Sequence, residues 1–133
     1  MIEEATVIGK IEAVVIDTAD PWGLARFYSE VLGLEILRQD GGWIDLGRPG
    51  SQETVLSFQH APDHQPPQWP DPNHPQQFHL DIQIQGDIEE AEKKVLALGA
   101  TKLRDSGGTF RVYADPSGHP FCLCWGSQAS GEH

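Results

Sequence analysis

AVVIDTADPWGLARFYSEVLGLEILRQDGG (residues 13–42) and HLDIQIQGDIEEAEKKVLALGATKLRDSGG (residues 79–108) are two copies of one pattern. Shifted by 66 positions, Ile16 falls on Ile82, Ala25 on Ala91, Leu32 on Leu98 and Gly33 on Gly99. Leu37 meets Leu103, Arg38 meets Arg104, and Gly41-Gly42 meets Gly107-Gly108. These are eight ungapped identities, where unrelated sequence gives roughly two in such a window. The chain is an internal duplication, and a binding cleft is expected between its halves.

Each copy reads as strand, helix and three strands. Residues 10–18 form an apolar, β-branched run of strand length. Asp20 and Pro21 open a helix as N-cap and first helical residue. Its apolar face carries Leu24, Ala25, Phe27, Tyr28, Val31 and Leu32, and Gly33 closes it. Strands follow at 34–39, 43–47 and 54–60, the first two joined by the tight Asp40-Gly41-Gly42 connection.

The second copy starts with the alternating stretch 78–84. Asp87 and Glu90 form a capping box for a helix that buries Ile88, Ala91, Val95 and Leu98 and ends at Gly99. Its strands are 102–105, 109–114 and 120–125, separated by the turns 106–108 and Asp115-Pro116-Ser117-Gly118. Residues 61–77, holding six of the ten prolines, make an extended crossover. It is either a spacer or an edge of the binding site. The fold class is therefore α+β: two tandem βαβββ modules (about 10–60 and 78–126), mixed sheets around a cleft, helices outside, all one domain.

The 133 residues carry a net charge of −11, which argues against nucleic acid or an anionic membrane surface as partner. No apolar run reaches membrane-spanning length, and the acidic start Met1-Ile2-Glu3-Glu4 is unlike a secretion signal. Cys122 and Cys124 share one strand face, a poor geometry for a mutual bridge. A cytoplasmic protein with free thiols is the simplest expectation. The small polar tail 127–133 is expected to fray.

The quoted residues resemble the vicinal oxygen chelate superfamily, which includes glyoxalase I, extradiol dioxygenases and bleomycin-resistance proteins. The pattern is closest to its glyoxalase-like domain group. The resemblance rests on Val14-Val15-Ile16-Asp17-Thr18-Ala19-Asp20-Pro21, Phe58-Gln59-His60-Ala61-Pro62, His79-Leu80-Asp81, Phe121-Cys122-Leu123 and the Asp-Pro-Ser-Gly-His turn, and spans about residues 10–126. It implies paired modules enclosing a cleft, commonly in a homodimer, with chemistry that differs between members.

In metal-using relatives four ligands come from the first and last strand of each module. Those positions map here to Ala13, Ser57, His79 and Cys122. Alanine cannot ligate, and serine is a weak ligand for a divalent ion. The resemblance therefore implies a small-organic-ligand cleft without a complete metal site and with no cofactor. The alternative is a metal-dependent lyase, isomerase or dioxygenase using His79 and Cys122, a pair that suits zinc. A drug-sequestering, resistance-type protein and a purely structural dimer module are further alternatives.

His79, Asp81 and Gln83 form a polar stripe opposite Leu80, Ile82 and Ile84. His79 is either a hydrogen-bonded structural group or the catalytic acid–base of the cleft. Strand spacing places Asp81 roughly 7 Å away from it. Cys122 reads as a cleft-lining or core thiol, since nothing nearby in sequence would activate it. Trp43, Phe58, Gln59, Phe110, Arg111 and Tyr113 complete the candidate lining, an aromatic wall with one arginine suited to a flat or acidic ligand. Arg111 shares a face with Thr109 and Tyr113 and points either into the cleft or to solvent. His60, His64 and His74, in or beside the crossover, lack a regular element to bring them together.

Overall fold

The computed structural model describes residues 7–105 and 108–126. The elements run β1 (Val14–Thr18), α1 (Pro21–Leu32), β2 (Glu35–Asp40), β3 (Trp43–Gly47), β4 (Thr54–His60), β5 (Leu80–Gln83), α2 (Ile88–Ala97), β6 (Thr101–Asp105), β7 (Phe110–Ala114) and β8 (Pro120–Cys124). They build two four-stranded mixed sheets with orders β1-β4-β3-β2 and β5-β8-β7-β6. The expected tandem βαβββ architecture is what the chain adopts. The residues read as an unlikely secretion signal and as a fraying tail, and two of the three residues of the 106–108 turn, lie outside the described residues.

The two sheets repeat each other down to their irregularities. β1 runs parallel to β4, with Val15 opposite Ser57, and β5 runs parallel to β8, with Asp81 opposite Cys122. A register shift falls between Ile36 and Arg38 in the first sheet and between Lys102 and Arg104 in the second. A bulge preserved at the same place in both copies is a designed feature of the unit.

Helix ends form as the residues dictate. The Asp20 carboxylate accepts the Gly23 N–H at 3.0 Å, and Gly33 closes α1 in the left-handed conformation. The Asp87 carboxylate accepts the Glu90 N–H at 3.1 Å and caps α2. Several predicted strand starts were too early. Residues 10–13 precede β1, Leu34 precedes β2, and Phe78 and His79 precede β5.

Alternation along the strands separates a helix-packed face from a helix-free face. Ile16, Ile44, Leu46, Leu56 and Phe58 pack with α1, and Tyr113, Phe121 and Leu123 join the same core. The α1 aromatics connect the modules: Phe27 meets Phe121 edge-on at 5.7 Å and Tyr28 meets it edge-on at 6.3 Å, while within the first module Tyr28 stacks on Phe58 at 5.9 Å. α2 buries less than its periodicity suggested. Val95 is its one buried residue, and Leu98 is 40% exposed. Among the described residues no helix is long and apolar enough to cross a membrane.

Candidate functional site

The helix-free face of the first module carries a network of its own hydrogen bonds. Asp45 on β3 accepts from Ser57 Oγ at 2.6 Å, Trp43 Nε1 at 2.7 Å and Arg38 Nε at 3.0 Å. Arg38 also donates to Thr54 Oγ1 at 2.5 Å. These donors hold the Asp45 carboxyl below its usual range, against a burial effect that alone would raise it. Ala13, Trp43 and Ser57 line a groove of about 630 Å³ here, together with Arg38 and Asp45. Gln59 lies on the same strand face as Ser57 but is exposed.

The second module's helix-free face differs. His79 Nε2 lies 3.0 Å from Asp81 Oδ1, so the expected separation of these side chains is corrected: the His79 ring, ahead of the strand, reaches along it to the carboxylate. One ligand atom from each of His79, Asp81 and Cys122 lies within 4.8 Å of the others. A carboxylate partner keeps the proton on Nε2 and makes Nδ1 the accepting nitrogen. Burial, with the Asp81 charge adding to it, pushes the Cys122 thiol up to about 12. Burial thus favours the thiol over the thiolate. Both cysteines are free.

The crossover lies against this face. Trp69 packs with Phe110, Val112, Cys122 and Cys124, and the Arg104 guanidinium stands 5.2 Å over its ring. Trp69, Gln76, His79, Arg104, Phe110 and Cys122 line a pocket of about 230 Å³. The crossover is held from its other side too. A Cβ on Gly118 (φ 93°) would come within 2.5 Å of Pro66, so glycine permits this approach twice over.

A third pocket, of about 370 Å³, lies where the modules meet, lined by Asp17 and Tyr28 from one and His79 and His119 from the other. His64 of the crossover stacks on His119 there, centroids 4.8 Å apart. His119 Nδ1 lies 3.1 Å from Asp115 Oδ2.

The candidate residues thus divide. Ala13, Trp43 and Ser57 stand together, and His79, Asp81 and Cys122 stand together in the other module. Arg111 as a ligand contact is corrected. It pairs across with Leu123 on the helix-packed side and is bound by Glu89 at 2.9 Å and Glu92 at 3.0 Å on α2 and Asp105 at 3.1 Å on β6. Tyr113 shares that side and donates to Glu92 at 2.8 Å.

Sequence reasoning missed Trp69, Gln76 and Arg104. Arg104 was visible as the repeat of Arg38, whereas nothing periodic marks the other two. The four positions inherited from metal-using relatives do not fit an ion, because Ala13 has no donor and the Ser57 hydroxyl is committed to Asp45. His79, Asp81 and Cys122 offer a different three-donor set on one module.

The model of the glyoxalase-like domain family matches residues 13–124. No curated protein matches the chain. Among solved structures, a glyoxalase-related enzyme from Fulvimarina pelagi shares 18% identity at a TM-score of 0.65, covering 90% of this chain and 89% of that one. A fosfomycin resistance protein from Listeria monocytogenes shares 16% at 0.66, covering 92% and 97%. The trypanothione-dependent glyoxalase I of Leishmania major shares 19% at 0.61, covering 88% and 86%. At these identities the likeness is one of fold. With the family model spanning both sheets and the solved relatives repeating their arrangement, the chain belongs to the glyoxalase-like domain family of the vicinal oxygen chelate superfamily.

Proposed function

We propose that the protein binds a small organic molecule on the helix-free face of its second module, against His79 and beneath Trp69 of the crossover. The observation that carries this reading is the pocket of about 230 Å³ at His79 and Cys122. On the equivalent face of the first module the polar groups are committed to the Asp45 network. Within the pocket His79, oriented by Asp81, accepts a hydrogen bond or a proton from the ligand. Cys122, Phe110 and Val112 supply the apolar wall.

The test is a fragment screen read by NMR on the Trp69 and Trp43 indole signals. Ligands that move Trp69, and lose affinity in His79→Ala, support the reading. Ligands that move Trp43 alone, on the other module, overturn it.

A second reading, a metal-dependent enzyme of the same family, is favoured by the grouping of His79, Asp81 and Cys122 within 4.8 Å. A nitrogen, a carboxylate and a sulfur suit zinc, provided the ion displaces the thiol proton that burial retains. Elemental analysis of protein purified without added metal decides it. Stoichiometric zinc that disappears in His79→Ala establishes this second reading, and metal-free wild type with ligand binding intact rejects it.

A further inference from the structure

The duplication leaves one arginine neutralised and its twin not. Arg38 lies opposite Asp45 in the β2–β3 register, and Arg104 lies opposite Val112 in the β6–β7 register. Asp45 takes the charge of Arg38 at 3.0 Å. Where the first module has Trp43, Asp45 and Ser57, the second has Phe110, Val112 and Cys122, none of which can balance a guanidinium. Arg104 makes no ion pair among the described residues. It stands instead over the Trp69 ring at the edge of the His79 pocket. In a chain of net charge −11 the long-range field repels anions, so an anionic ligand needs a local cation of this kind.

Gln76 supplies an independent observation. Its Oε1 is buried with no hydrogen-bond partner, and the residue lines the same pocket. A buried acceptor left unmatched loses its hydration without return, and a ligand N–H or O–H would restore the bond. Size adds a third constraint. An engineered cavity of about 150 Å³ holds benzene, so about 230 Å³ admits one substituted ring.

We propose that the pocket selects a planar, single-ring carboxylate that also carries a hydroxyl or N–H donor. The carboxylate pairs with Arg104, the ring lies against Trp69 and the donor meets Gln76 Oε1. This rests on the reading of the His79 face as the binding site and names the ligand class that fits it.

The experiment titrates the full chain with 4-hydroxybenzoate, benzoate and phenol. Affinity is read by calorimetry and location by NMR on the Trp69 and His79 side-chain signals. The expected order puts 4-hydroxybenzoate about tenfold tighter than either fragment. Arg104→Gln, on an exposed strand position, removes the advantage over phenol. Gln76→Leu removes the advantage over benzoate.

Phenol binding as tightly as 4-hydroxybenzoate, with the same shifts at Trp69 and His79, overturns the ligand class and leaves the site standing. Equal affinities in wild type and Arg104→Gln do the same. Shifts at Trp43 without Trp69 overturn the class and the site together. If none of the three compounds moves Trp69 or His79, the class is wrong, and the fragment screen on the same signals decides the site.

Discussion

The Tyr28 hydroxyl on α1 donates to Asp115 Oδ2 at 2.7 Å, tying the helix of the first module to a turn of the second. The Asp115 side chain is fully buried, and its other oxygen accepts the Ser117 N–H at 2.8 Å and the His119 N–H at 3.0 Å. Burial, reinforced by the Asp115 charge, holds the Tyr28 hydroxyl well above the usual phenol range, so it remains a donor. Thr18 Oγ1 and Ser117 Oγ, 2.6 Å apart, add a second polar tie between the modules. The position of the inter-module pocket depends on these bonds.

Tyr28→Phe keeps the ring packing and removes one donor from a buried carboxylate. The expected cost is about 2 kcal/mol. Asp115→Ala strands the hydroxyl and two backbone N–H groups together, with an expected cost on the order of 4 kcal/mol. Urea unfolding followed by far-UV circular dichroism measures both. A Tyr28→Phe midpoint equal to wild type would show that this bond contributes no net stability.

Arg111 separates fold from site. Its carboxylate partners Glu89, Glu92 and Asp105 stand on the side of the sheet opposite Cys122. Arg111→Ala is therefore expected to lower the thermal midpoint in low salt, with a smaller loss at 1 M salt, where exposed pairs are screened. Ligand affinity at the His79 pocket should stay within twofold of wild type. A loss beyond tenfold in affinity with little change in midpoint would return Arg111 to the binding site.

The fold was legible because its signals are local and doubled. Asp20-Pro21, Gly33 and Asp87 act within a few residues of themselves, and the 66-residue repeat shows that both halves obey one plan. The site was legible only in part. His79 and Cys122 were reachable through strand position, and register brings Asp81 beside them. The face of Arg111 stayed open, because alternation tells which residues share a face and not which face packs against a helix. Trp69 and Gln76 belong to a proline-rich segment without periodicity, so their docking against β7 and β8 depends on contacts far apart in the chain. The burial of α2 was overstated for a related reason: an apolar stripe shows what a helix can bury, not what stands opposite it.

The Cys122 thiol, pushed up to about 12, is almost entirely protonated at pH 8. Burial also raises Cys124. Iodoacetamide at pH 8 is expected to leave both cysteines unlabelled over an hour in the native protein and to label both within minutes in denaturant. Intact-mass spectrometry reads the result. Rapid native labelling of Cys122 would contradict its protonated, enclosed state and reopen a nucleophilic role.

His64 gives the crossover a dependence on pH whose sign follows from its surroundings. Burial and the neighbouring His119 lower its pKa, and their effect outweighs the opposing pull of Asp17 and Asp115. An unfolded histidine titrates near about 6.5, so on acidification the unfolded chain takes up this proton before the folded one does. The contribution of neutral His64 is complete above about pH 6.5 and is lost as the pH falls toward the lowered folded value. His64→Phe keeps an aromatic ring against His119 and removes the titration. Wild type should therefore lose stability relative to His64→Phe as the pH falls below about 6.5, and hydrogen exchange in residues 61–77 should rise in wild type alone as it does. Parallel stability curves for the two proteins would mean that the His64–His119 stack does not respond to protons and that the crossover is held by Trp69 and Pro66 instead.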